Sequence, residues 1–295
     1  MKSGYQIVTL ANGGTSVHSS QYGETFHPVI GPVAEAEALY VNQLRLRERL
    51  ENFHGEFVIW DVGLGAAANA LTVLRTTRDL PCAIRLISFD QTAKALEFAA
   101  QNGAALGYFG GYEVHVQELL RNQRVKFHEG KQSVDWQLHV ADFPSFVVDG
   151  AGEIPVPHAV LFDPYSPGKN PEMWTLTLLT NLFRRLDPQR PCSLATYSRA
   201  TMLRAALLLA GFFVGVGHAT GKKEETTVAA NTLDLIPEPL DLKWLDRARR
   251  SHSAEPLHEA VYRQAPLSKE SWEKLQAHPQ FNPPDKPPSP GCSED

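Results

Sequence analysis

Hydrophobic and polar positions follow two different periods along this chain. Tyr5-Gln-Ile-Val-Thr-Leu10 alternates, Asn12-Gly13-Gly14 supplies a turn, and Thr15-Ser-Val-His18 returns, which predicts a β-hairpin. A polar stretch rich in Gly, Pro and His runs from Gln21 to Pro32. Residues 34–50 predict a helix, with Leu39, Leu46 and Leu50 on one side and Arg45, Arg47 and Arg49 solvated. Strand-like runs at Phe57–Val62, Ile84–Phe89, Trp136–Val140, Ala159–Phe162 and Cys192–Tyr197 then alternate with helix-like runs near 67–79, 92–106, 112–122 and 173–186. Ser198 is placed to cap a further helix over 199–210, which Gly211 ends. Strands alternating with helices predict a parallel sheet covered on both faces. The last two strand-like runs, Phe212–His218 and Thr226–Ala230, are too close for a crossover helix and should form an antiparallel hairpin.

After about Pro237 the pattern changes. Lys243, Arg247, Arg249 and Arg250 form a basic helix-like run, residues 268–277 suggest one more helix, and a proline-rich tail expected to be disordered begins at His278. The chain therefore divides into an N-terminal hairpin and helix (1–50), a central α/β unit (51–236), a helical extension (237–277) and the tail (278–295). No internal repeat is visible.

Composition narrows the classes. With 295 residues, 43% of them hydrophobic and 21% charged, the chain can bury a large core and is neither collagenous nor disordered throughout. A net charge of −5 excludes a uniformly basic coat but not a local basic face. Cys82, Cys192 and Cys292 lie far apart, with neither metal spacing nor a disulfide framework, and His18, His27 and His54 share no ligand spacing. No metal is expected. No apolar run approaches the ~20 residues of a membrane helix, and the first residues lack the charge and apolar regions of a signal peptide. A cytoplasmic protein with no membrane partner is expected.

The segment Trp60-Asp61-Val62-Gly63-Leu64-Gly65-Ala66-Ala67-Ala68-Asn69 leaves a strand and opens a helix. Gly63 suits a tight turn, Gly65 suits close approach of a ligand to the backbone, and the helix N-terminus offers unpaired N–H groups. Asp90, at the end of the second central strand, is placed to accept the hydroxyls of a ribose. These features serve NAD and S-adenosylmethionine equally. Asp61 tilts the choice, because a carboxylate fits poorly beside a pyrophosphate and well beside a phosphate-free cation. Asp142, after the third strand-like run, fits either an adenine amino group or a helix N-cap. Asp61, Asp90 and Asp142 at successive strand ends would point into one crevice.

The most unusual stretch follows the fourth strand: Asp163-Pro-Tyr165-Ser-Pro167-Gly-Lys169-Asn170-Pro171-Glu-Met173-Trp174. Prolines stiffen this loop at the strand's carboxyl end, where a substrate would meet a cofactor. Asp163 could hold an amine N–H, or only cap a turn, and Tyr165 or Trp174 could pack on a base, or only on the core. Lys169 suits a phosphate or plain solvent. The loop resembles the Asp-Pro-Pro-Tyr signature of amino-group methyltransferases, with one residue fewer before the aromatic.

With the hairpin-closed sheet, these motifs resemble class I methyltransferases and, more closely, the methyltransferase domain of the bacterial bifunctional tRNA 5-methylaminomethyl-2-thiouridine biosynthesis protein MnmC and its stand-alone relatives. The family's acidic-x-Gly-x-Gly-x-Gly-x-Asn loop is met by Asp61, Gly63, Gly65, Ala67 and Asn69, with alanine at the third glycine. Its Ile-Ser-Phe-acidic run is met by Ile87 to Asp90, and its Asp-x-aromatic-x-Pro-x-Lys-Asn-Pro-acidic-Met-Trp run by Asp163 to Trp174. Tyr22-Gly-Glu24-Thr with Glu35 resembles its acceptor-side segment. The resemblance covers about residues 5–230. It implies a Rossmann-like class I fold with a mostly parallel seven-stranded sheet. It implies S-adenosyl-L-methionine held by Asp61, Gly63, Gly65, Asn69, Asp90 and Asp142, and Asp163 beside the acceptor amine. Glu24, Tyr165, Pro167, Lys169, Asn170 and Trp174 would line the acceptor side. The reaction implied is methylation of the aminomethyl group on a tRNA wobble uridine.

Residues after 230 hold no second glycine-loop unit, so no flavin is expected and a separate oxidase would supply the aminomethyl precursor. tRNA would need phosphate contacts, for which Arg184, Arg185, Arg190, Arg199, Arg204, Lys222, Lys223 and the 243–250 run are candidates. A small amine or protein side chain as acceptor, an NAD-dependent oxidoreductase and a non-catalytic binding module remain the alternatives.

Overall fold

A computed structural model describes residues 4–150, 154–221 and 224–282. The predicted hairpin is present as β1 (Tyr5–Thr9) and β2 (Thr15–Ser19), closed where the Asn12 side chain accepts the Gly14 N–H at 3.0 Å. A short third strand, β3 (Glu24–Thr25), adds to it antiparallel out of the polar stretch.

The helix expected over 34–50 is broken. It runs as α1 (Pro32–Ala36), a π-helical segment Glu37–Asn42, and α2 (Leu46–Glu51), with Arg45 left-handed at φ +51° between the last two. The consecutive residues Leu39, Tyr40 and Val41 are all buried. The π segment bonds i to i−5, with the Gln43 N–H donating to the Ala38 carbonyl at 3.2 Å, and the left-handed backbone of Arg45 then ends it.

The main sheet has eight strands: β4 (Glu56–Val62), β5 (Ala83–Asp90), β6 (Arg124–Glu129), β7 (Gln132–Val140), β8 (Ala159–Phe162), β9 (Ser193–Thr196), β10 (Phe213–Gly217) and β11 (Thr226–Ala230). Their order is β10-β11-β9-β8-β4-β5-β7-β6. The four central pairings are parallel, and β10–β11 is the antiparallel hairpin the sequence predicts. The seven-strand expectation falls one short because β6 pairs antiparallel with β7 at the edge. Its Val125 and Phe127 point inward while Arg124, Lys126 and His128 face out, a period-two signal present in the sequence.

Burial along β4 explains the two covering layers. Phe57 and Ile59 enter one core with Leu71 and Leu74 of α3 (Ala68–Thr77), beside α4 (Lys94–Gln101), α5 (Gly103–Leu106) and α6 (Glu113–Asn122). Val58, Trp60 and Val62 enter the other, with Leu179 and Leu182 of α8 (Leu176–Arg185) and Leu203 and Leu207 of α9 (Thr201–Ala210). A short α7 (Phe143–Ser145) follows β7. Helix α9 starts after Ala200 without a side-chain cap, and Ser198 instead accepts the Ala200 N–H at 3.3 Å.

The helical extension joins this second core rather than standing apart. Trp244 and Leu245 of α10 (Leu242–Arg250) and Leu275 of α11 (Lys269–Gln276) are buried in it. The stretch read as the start of the tail is folded as far as it is described. Gln280 bonds both the N–H and the carbonyl of Val214 at 2.8 Å, and Phe281 stacks near Trp244. Residues 283–295 lie outside the described residues.

Candidate active site

The carboxyl ends of β4, β5 and β8 converge on a cavity of about 470 Å³, roofed by the N-terminal sheet. Gly63 leaves β4 at φ +90°, and its N–H and that of Leu64 both donate to the Phe89 carbonyl. A Cβ at position 63 would stand 2.6 Å from the Asp163 carbonyl oxygen, so glycine is what lets the β4 loop and the β8 exit approach. Phe26 covers the loop from above, its ring 3.2 Å from where a Gly65 Cβ would be. Ala67 opens α3 at φ +61°, a left-handed conformation that alanine adopts at a cost of roughly 1–2 kcal/mol.

Two carboxylates sit at this loop in different settings. Asp90 forms part of the cavity wall and accepts the N–H of Gly65 at 2.9 Å and of Thr92 at 3.2 Å. Burial raises its pKa against those bonds. Asp61 lies behind the wall and is fully buried. One of its oxygens accepts the Ser88 hydroxyl at 2.9 Å, and Ser88 in turn accepts the Trp136 indole N–H at 2.9 Å. The other oxygen has no hydrogen-bond partner. Burial first, then the nearby Asp163 and Asp90 charges, push the Asp61 carboxyl up to about 7 against the Ser88 bond.

The acceptor side is built around Asp163. Asn69 donates to its Oδ2 at 2.7 Å, and the imidazole Nε2 of His27 lies 3.7 Å from the same oxygen. The loop beyond is fixed from several directions. Tyr197 donates to the Pro164 carbonyl at 3.0 Å, Trp174 donates its indole N–H to the Tyr165 carbonyl at 2.8 Å, and Glu24 accepts the Ser166 N–H at 3.2 Å. Tyr165 stacks on Tyr22 with ring centres 3.9 Å apart.

Comparison with known proteins fits this geometry. Residues 112–232 match a family model described as S-adenosyl-L-methionine-dependent methyltransferase. The MnmC bifunctional protein of Pseudomonas putida is 27% identical over 214 residues, covering 70% of this chain and 32% of that protein. That of Leptospira interrogans is 24% identical over 256 residues, covering 82% and 38%. The crystal structure of MNMC2 from Aquifex aeolicus superposes with a TM-score of 0.66 at 26% identity, covering 94% of this chain and 84% of that one. By sequence and fold, the chain is an MnmC-like S-adenosylmethionine-dependent methyltransferase. It spans about a third of the length of the curated MnmC proteins, on their methyltransferase part rather than the oxidase part.

The MnmC-like cavity fits that cofactor on its own chemistry. The glycine turn leaves the backbone bare, the orphaned Asp61 oxygen beneath it suits a cationic ligand, and no lysine or arginine stands in the described wall to receive a pyrophosphate. The expected residues are placed unevenly. Gly63, Gly65, Asn69, Asp90, Asp163, Glu24, Tyr165 and Asn170 line the cavity. The three strand-end aspartates do not converge: only Asp90 reaches the wall. Asp142 instead caps α7, accepting the Ser145 N–H at 3.1 Å, and that bonding holds its carboxyl below the usual range. Pro167, Lys169 and Trp174 are also outside the wall, Lys169 exposed to solvent and Trp174 buried as a clamp on the loop.

His27, in the polar segment before α1, could line the site or be a plain surface or core histidine on sequence alone; the structure places it in the cavity wall between two carboxylates. The signal available was its place two residues beyond the Tyr22–Thr25 segment. The basic candidates fare differently. Arg185 is spent on the Val147 and Val148 carbonyls, Arg190 on Val156, and Arg204 on Glu225 and the Thr226 carbonyl. Arg184, Arg199, Lys243, Arg247, Arg249 and Arg250 are exposed, and Lys222 and Lys223 lie outside the described residues. Among the described residues no group of three or more His, Cys, Asp and Glu could hold a metal, and no helix is long and apolar enough to cross a membrane.

Proposed function

We propose that this protein methylates the aminomethyl nitrogen of a modified wobble uridine in tRNA. The observation that carries this reading is the position of Asp163: its side chain faces the cavity while its backbone abuts the Gly63 turn, so an amine held there lies next to the cofactor loop. S-adenosylmethionine, when bound, supplies an electrophilic methyl carbon. In this reading Asp90 holds the ribose hydroxyls, the Gly63–Gly65 backbone cradles the cofactor's amino-acid end, and Asp61 balances its positive charge from below. Asp142 would act on the adenine only through the adjacent Gln91, whose side chain it accepts at 3.3 Å. Asp163, oriented by Asn69, accepts an N–H of the amine and aims its lone pair, the alignment that in-line transfer needs. The Tyr22–Tyr165 stack offers a surface for a base. Trp174 supports this from behind the loop, and Lys169 stands at its outer edge for a phosphate. The N-terminal 1–50 segment belongs functionally with the 51–236 unit, since Glu24, Phe26 and His27 complete the cavity. A separate oxidase would furnish the aminomethyl group, and the compartment would be the cytoplasm, where tRNA is modified.

The test is transfer of labelled methyl from S-adenosylmethionine to undermodified bulk tRNA, followed by nucleoside mass analysis. A methylated aminomethyluridine that disappears in Asp163→Ala supports the reading, and cofactor binding without label in tRNA refutes it. One observation favours a second acceptor class. Arg185, Arg190 and Arg204 are consumed internally, and the chain carries a net charge of −5, so a small amine or protein side chain would meet little electrostatic resistance. The same cofactor label, offered amines and proteins, distinguishes the two.

A further inference from the structure

His27 adopts φ +46°, a left-handed conformation that histidine enters more readily than most side chains, and its side chain is only 9% exposed. That turn carries the imidazole into the cavity. There Nε2 lies 3.7 Å from Asp163 Oδ2 and Nδ1 lies 3.9 Å from Glu35 Oε1. Glu35 is itself buried, on α1, and also lines the cavity. The other titratable groups packed around this cluster are the buried phenols Tyr40 and Tyr197, the carboxylate of Glu24 and, behind Asp163, the buried carboxyl of Asp61. Burial and the neighbouring carboxylates raise both phenols, so each stays a neutral hydroxyl at physiological pH. No lysine or arginine lines this wall among the described residues.

Amine methylation leaves one proton too many. The nitrogen lone pair forms a bond to the methyl carbon, the carbon–sulfur bond breaks with its electron pair left on sulfur, and release of a neutral secondary amine requires the nitrogen to give up a proton. As side-chain types, imidazole is a stronger base than carboxylate by roughly a hundredfold. We propose that His27 is the group that takes this proton, with Asp163 aligning the amine and Glu35 acting as a positioning residue that orients the imidazole and balances its charge once protonated. The inference rests on the proposed methylation of an amine and adds the base to it. The proton leaves from His27 to solvent as product departs.

The experiment uses the full-length chain with labelled S-adenosylmethionine and tRNA carrying the aminomethyl group. Wild type is compared with His27→Asn and His27→Gly, two residues that accept the left-handed backbone, so both variants should fold. Binding of S-adenosylhomocysteine and the melting temperature serve as fold controls. A positioned general base contributes about 10²–10⁴ in rate. We expect kcat to fall at least tenfold in both variants with cofactor affinity kept, and added imidazole to restore His27→Gly with a pH dependence that follows free imidazole. A fall of less than tenfold, or a fall that imidazole fails to restore in a folded variant that binds cofactor, overturns the inference. Wild type that transfers no methyl to tRNA overturns the proposed function and this inference with it, which separates the two failures.

Discussion

The buried Asp61 offers a quantitative test of how the glycine loop is charged. Its carboxyl rises from an ordinary 3.8 to about 7, and each unit corresponds to about 1.4 kcal/mol, so an ionised Asp61 costs the unliganded fold roughly 4 kcal/mol. The sign follows from linkage. Below pH 3.8 the unfolded and folded states both hold the proton, and Asp61 contributes nothing. Between 3.8 and about 7 only the unfolded chain releases it, so stability falls as pH rises; above about 7 the loss levels off. Asp61→Asn removes the charge, and its amide would keep the Ser88 bond while placing an unpaired N–H where the orphaned oxygen now stands. That donor costs about 1–3 kcal/mol. The variant should therefore gain roughly 1–3 kcal/mol over wild type at pH 8 and lose that advantage at pH 4.5. The assay is urea denaturation of both proteins across this range, without ligand. Affinity for S-adenosylhomocysteine, whose ammonium would lie across the glycine loop from this carboxylate, should move the opposite way and fall in the variant at pH 8. A variant no more stable than wild type at pH 8, or one shifted equally at every pH, refutes the assignment of a strained, ionising Asp61.

Two further substitutions probe the cavity wall. Gly63→Ala places a Cβ 2.6 Å from the Asp163 carbonyl at φ +90° and should cost about 3 kcal/mol or more, read as a lower melting temperature together with lost cofactor binding; a stable variant with normal binding would contradict the close approach. Trp174→Phe keeps most of the buried ring but removes the donor to the Tyr165 carbonyl, a loss of about 1–3 kcal/mol. It should raise KM for the acceptor and leave cofactor affinity unchanged, which separates a loop clamp from a base-stacking residue.

Much of the architecture was legible in one dimension. The strand–helix alternation, the closing hairpin and the glycine loop each rest on local periodicity or a short motif, and the structure places them accordingly. The edge strand β6 was equally legible, since Val125 and Phe127 alternate with charged neighbours, but its run lay directly against a helical one. The break at Arg45 was not. Arg45 takes a left-handed backbone with no glycine or proline there to signal it, between Leu44 and Leu46, which are both buried in the core.

Fold class, the order of the elements and the carboxylates at the strand ends are readable along the chain, because backbone periodicity and turn chemistry act over a few residues. What each carboxylate does depends on how distant segments pack around it. Asp90, Asp61 and Asp142 occupy equivalent places in the pattern, yet one lines the cavity, one is sealed behind it with an oxygen unpaired, and one caps a helix. Solvent access and hydrogen-bond partners set those differences, and both come from residues far away in the chain. The same holds for His27. It meets Asp163 only because the N-terminal sheet folds over the carboxyl ends of the central strands, joining positions separated by more than a hundred residues.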